Sequence, residues 1–175
     1  SSAASDVYKR QGHIYKSRGN FDLSAQYYQE ALDYMLKNMP DQDPSQLYSS
    51  LAEYYRNTQK DYATALDYCE KALKSAKTER NIAQAMIEKC LILFRQGRID
   101  EFNDCYKEAV QMADRCKLSA NVSLLIAHIS KNILDKQYEQ AHAHADQLSE
   151  KGLQQHAYIY EYAKDYPNAI KYLKK

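Results

Sequence analysis

The sequence predicts an all-α solenoid, a row of five antiparallel helix pairs, on three observations. First, four Gly and three Pro in 175 residues, beside 45% apolar residues and 17 Tyr, leave too few turn formers for a sheet protein. Second, one phrase recurs five times: an aromatic residue or Ile, a small or apolar one three places on, a bulky one four further, and usually a small one three beyond that. Offsets of 0, 3, 7 and 10 place all four on one helical face, so each phrase reads as the second helix of a hairpin. Third, each phrase follows a short polar turn and, before it, a partner helix with its own apolar stripe.

The elements follow in order. Helices at 12–18 and 22–38 form the first pair, Gly12 and Tyr15 facing Phe21, Ser24, Tyr28 and Ala31 across the turn SRGN. The linker NMPDQDPS carries two prolines and offers Asp43 or Ser45 as a cap for the next helix. The second pair, 45–59 and 62–77, sets Tyr48, Leu51, Ala52 and Tyr55 against Tyr62, Ala65, Cys69 and Ala72. The third, 80–96 and 99–116, sets Met86, Cys90 and Leu93 against Ile99, Phe102, Tyr106 and Ala109. The fourth, 119–136 and 138–150, pairs Leu125, Ile129 and Asn132 with Tyr138, Ala141, Ala145 and Leu148. Gly152 then suits the position just past a helix end. The fifth, 153–164 and 166–175, pairs Leu153, Ala157 and Tyr160 with Tyr166, Ala169 and Leu173.

Phrase and partner together resemble the tetratricopeptide repeat, most closely in GHIYKSRGNFDLSAQYYQEAL and LAEYYRNTQKDYATALDYCEKAL. The resemblance covers 12–175, as repeats at about 12–40, 44–78, 79–117, 118–151 and 152–175, and implies a right-handed superhelix. Spacings between phrases are 41, 37, 39 and 28 residues, against ~34 in the standard repeat. The longer ones resemble bacterial regulatory members of the family. Residues 1–11, SSAASDVYKRQ, resemble letter for letter an in-frame translation of a transposase adapter used in sequencing libraries. On that resemblance they are set apart from the array and few contacts are expected of them, although nothing in VYKRQ forbids their extending the first helix, and the chain is expected to be an internal piece of a longer protein.

Charge and motifs narrow the function classes. The chain has 24 Lys and Arg against 23 Asp and Glu, and without residues 1–11 the count is 22 against 22. Such a balance lacks the cationic excess that drives nucleic-acid binding, and no apolar run approaches the ~20 residues of a membrane span. Nucleophile, phosphate-loop and zinc-helix motifs are missing, so no enzyme activity and no cofactor is expected. Cys69, Cys90, Cys105 and Cys116 read as small core residues, which leans slightly toward a reducing, cytoplasmic compartment, with a periplasmic sensor segment as the alternative. In AHAHAD, His142 and His144 lie two apart on a helix and point away from one another, so they cannot share a metal ion. His128 and His156 read as isolated.

The resemblance implies a concave groove, lined by first-helix side chains, that holds an extended peptide or a partner helix. By position the groove takes Lys16 from the first pair and Glu53, Arg56 and Asn57 from the second. Leu91, Phe94 and Arg95 come from the third, Ile126 and Ile133 from the fourth and Tyr158 from the fifth. It is expected to be polar and mildly basic at one end and apolar at the other, with Arg56 and Arg95 orienting the partner. The carboxylate clamp of chaperone-binding members is absent, because His13, Ser50, Gln84 and Glu88 stand at its places. The implied function is a protein- or peptide-binding segment of a larger bacterial regulator. Two alternatives remain open: the receptor half of a peptide-controlled phosphatase, and an envelope assembly scaffold.

Overall fold

A computed structural model of the chain describes residues 2–119, 121–148 and 152–174, and among these all regular structure is helical. α1 (Ser2–Ser17) pairs with α2 (Phe21–Asn38). α3 (Ser45–Tyr54), continued by a π-helical turn at Tyr55–Gln59, pairs with α4 (Tyr62–Ser75). α5 (Glu79–Arg95) pairs with α6 (Ile99–Arg115), α7 (Val122–Leu134) with α8 (Tyr138–Ala145), and α9 (Gly152–Tyr162) with α10 (Tyr166–Leu173). First helices also pack on one another along the row, α3 on α5, α5 on α7 and α7 on α9. The result is a tetratricopeptide-like helical solenoid.

Local chemistry fixes where each hairpin turns. A residue in the left-handed region ends every first helix: Gly19, Lys60, Gly97, Lys136 and Lys164. The next amide then bonds back to the carbonyl five residues earlier, Asn20 to Tyr15 at 2.9 Å and Arg98 to Leu93 at 3.0 Å. In the second hairpin the equivalent bond runs from Asp61 to Tyr55 and spans one residue more. The π turn absorbs that residue. Side-chain caps start the following helices, with Asn20, Asp61, Thr78, Asn121 and Asp165 each accepting from the third amide beyond.

Four apolar clusters follow one another along the row, joining in turn α1–α3, α3–α5, α5–α7 and α7–α9. The clusters are built mainly from neighbouring hairpins, as expected of a repeat array, with Tyr158 of α9 reaching across to the α5–α7 cluster. In the second phrase Ala65 and Ala72 at the small positions, and Cys69 where other phrases carry a bulkier residue, are wholly buried, so helices approach closely there. Ala72→Leu is expected to overpack α4 against its neighbours and cost about 1–3 kcal/mol in urea denaturation, while Gln140→Ala on an exposed face of α8 leaves stability unchanged.

Three boundaries differ from expectation. Residues 2–11 continue α1 without a break, Ser5 is buried and Tyr8 packs on the first cluster, so the segment set apart makes specific contacts. Farther along α1, Gly12 meets Tyr28 so closely that a Cβ there would lie 2.5 Å from the ring, and its carbonyl accepts from Ser24 Oγ at 2.8 Å. α8 ends at Ala145, earlier than the expected 150, and residues 149–151 lie outside the described residues. Gly152 opens α9 where a helix end was expected, because a Cβ there would lie 2.8 Å from the Ala145 carbonyl oxygen.

The proline-bearing linker is held by Asp43. Its carboxylate accepts from the Ser45 amide at 2.8 Å, from the Lys77 amide at 2.8 Å and from Asn81 Nδ2 at 3.0 Å, tying the first inter-hairpin linker to the second. Burial opposes ionisation, yet these donors hold the carboxyl down to about 2, below its usual 3.8. A depressed acid pKa gives stability that is present above the unfolded value and lost as pH falls toward 2. Asp43→Ala is expected to cost about 1 kcal/mol at neutral pH, a low figure because solvent screens the site, and almost nothing near pH 2. Urea denaturation at the two pH values reads the difference.

Candidate binding groove

Two ion pairs between successive first helices build the concave wall. Lys16 on α1 meets Glu53 on α3 at 2.5 Å, and Arg56 in the π turn meets Glu88 on α5 at 2.5 and 3.2 Å. Burial disfavours the Lys16 charge, but the Glu53 carboxylate outweighs it and raises the ammonium's pKa. Arg56 is likewise desolvated and likewise held charged by its carboxylate. Its third contact, Nη1 donating to Asn57 Oδ1 at 2.7 Å, fixes the guanidinium plane. Beside the Lys16 pair, Tyr28 Oη lies 2.9 Å from His13 Nδ1, with the His13 pKa lowered by burial and then by Lys16 and Lys9.

This wall bounds two contiguous hollows that share His13, Tyr28, Ser50 and Glu53. The larger has a volume of about 930 Å³ and reaches from α1 across to Arg95, Ile126 and Gln154. The smaller, about 340 Å³, runs past Gln46, Gln84, Asn121 and Ser123. The groove thus touches all five hairpins. Its lining is rich in neutral amides and hydroxyls, groups that can give and accept hydrogen bonds along an extended main chain.

Of the residues expected in the groove, Lys16, Glu53, Arg56, Asn57, Arg95 and Ile126 line the larger hollow. Arg56 is not available to orient a partner, since its side chain is 4% exposed and committed to Glu88. The mildly basic end is therefore close to neutral. Most of the apolar end is core: Leu91, Phe94 and Ile133 are buried, neither they nor Tyr158 line either hollow, and of the five residues expected there Ile126 alone does. Phe94 packs on Phe102 at 5.6 Å, while half-buried Tyr158 stands edge-on to Phe94 and carries the Arg95 guanidinium 5.0 Å above its ring. Sequence reasoning missed the second-helix contributors Phe21 and Tyr28, and Gln154 and Gln155 of α9. Phe21 heads its phrase, where the sequence predicts a packed face, yet it stays exposed, so the pattern carried no signal for it.

The histidines are not isolated either. His142 Nδ1 lies 2.6 Å from His156 Nδ1, His156 Nε2 lies 2.9 Å from Asp146, and His128 stacks on His144 at 5.0 Å while meeting Tyr106 Oη. His142 and His144 turn to different partners, as their two-residue spacing requires. Among the described residues no group of three His, Cys, Asp or Glu is placed to hold a metal ion, and no helix is long and apolar enough to cross a membrane.

The model of the tetratricopeptide repeat family matches residues 5–34. That span is α1 with most of α2, and it begins within the eleven residues set apart. No curated protein matches the chain. One repeat of this family, set in a row of paired helices, suggests a protein–protein interaction module.

Proposed function

We propose that the chain is a non-catalytic binding module that holds an extended peptide in the groove bounded by the Lys16–Glu53 and Arg56–Glu88 pairs, as the sensing or interaction segment of a larger bacterial regulator. The observation that carries the proposal is the continuous hollow reaching from α1 to α9. Its ionic walls are already paired within the chain, so the partner's main chain meets amides and hydroxyls and one exposed cation, Arg95, selects among side chains. The larger regulator rests on the sequence resemblance alone.

Selection from a displayed library of random linear peptides, followed by calorimetry on the enriched peptide, tests the reading. Asn57→Ala and Arg95→Ala are expected to weaken binding about tenfold each, with Gln140→Ala neutral. Failure of every peptide to enrich, or an affinity indifferent to Asn57 and Arg95, overturns it.

A further inference from the structure

We propose that Cys90 and Cys105 form an oxidisable dithiol, a modification site at which a peroxide-class oxidant closes a disulfide that staples α5 to α6. The two sulfurs lie 2.9 Å apart, one on each helix of the third hairpin, with the Cys90 thiol donating to Cys105 Sγ. Reaching the ~2.05 Å of a disulfide needs a closure of roughly 0.9 Å. The second neighbour of Cys105 Sγ is the Met86 carbonyl oxygen at 3.4 Å, one turn from Cys90 on the same helix, so the Cys105 side chain already points at α5. Among the described residues neither Cys69 nor Cys116 has a thiol within hydrogen-bonding reach.

The pair is also unequal. Cys90 is wholly buried, whereas Cys105 is half-buried and open to a small oxidant. The hydrogen bond from Cys90 lowers the Cys105 pKa against the opposing effect of burial, and the nearby Lys89 charge lowers it further. Cys105 is therefore the attacking thiolate. It takes one oxygen from hydrogen peroxide to become a sulfenic acid, the O–O bond breaks, and the departing hydroxide takes up a proton to leave as water. The Cys90 sulfur then attacks the sulfenyl sulfur, the S–S bond forms, and a second water leaves carrying the Cys90 proton. Two thiols are oxidised and one peroxide is reduced to two waters.

The test treats the folded chain with hydrogen peroxide, then unfolds it and alkylates its free thiols. The expected result is two alkylated cysteines in place of four, a mass about 2 Da lower before alkylation, and a dithiothreitol-sensitive crosslink between the Cys90 and Cys105 peptides. Cys90→Ser should stop the reaction at a Cys105 sulfenic acid that dimedone traps. Four free thiols after treatment, a crosslink through Cys69 or Cys116, or equal crosslinking in urea-unfolded chain overturns the proposal.

Discussion

Replacing Arg56 with alanine is expected to destabilise the fold by about 3–5 kcal/mol, the cost of leaving one half of a buried ion pair without its partner. Glu88 is 6% exposed in its side chain and both of its carboxylate oxygens are bonded to the Arg56 guanidinium. Without that guanidinium the carboxylate either stays charged in a dry site or takes up a proton, and both routes are unfavourable. Removing both halves together, as Arg56→Met with Glu88→Leu, should recover most of the loss, because no buried charge then remains. Equilibrium urea denaturation measures both changes. A single variant that unfolds within about 1 kcal/mol of the parent would instead fit an Arg56 that is free to orient a partner.

The difference between those two outcomes marks what could be read in the sequence. Helical faces were legible, because one phrase repeated five times fixes which side of each second helix is buried, and Ala65, Ala72 and Ala109 lie where it places them. The turns were legible as polar breaks, although their register was visible only at Gly19 and Gly97. At Lys60, Lys136 and Lys164 a side chain accepts a left-handed backbone that costs it about 1 kcal/mol, so composition conceals the same device. The Arg56–Glu88 pair was hidden for another reason. Its partners sit 32 residues apart on successive first helices, and a repeat whose spacing varies from 28 to 41 gives no register by which to match them. For residues 2–11 the expectation of few contacts came from a resemblance between letters, which says nothing of whether Ser5 and Tyr8 can pack, and both do.

Phe94→Ala is expected to cost about 3–5 kcal/mol of folding free energy, whereas a Phe anchoring a partner at the surface would cost about 1–3 kcal/mol of binding. The deciding fact was present in the run Cys90–Leu91–Ile92–Leu93–Phe94. Five consecutive apolar residues advance about 100° each and cover the whole circumference of a helix, so none of its faces is left for water. α5 accordingly buries Leu91, Ile92, Leu93 and Phe94 together, against α6, α7 and the tyrosines of α9. Truncating Phe94 removes its packing on Phe102, Tyr158 and Tyr162 and leaves a cavity that the close-packed α5–α6 hairpin cannot collapse to fill. Tyr158 would also lose the ring that steadies it beneath Arg95, so a smaller loss of peptide affinity should follow as a secondary effect. Urea denaturation and calorimetry on the same variant separate the two. A large loss of affinity with stability intact would return Phe94 to the groove and move the core of the third hairpin elsewhere.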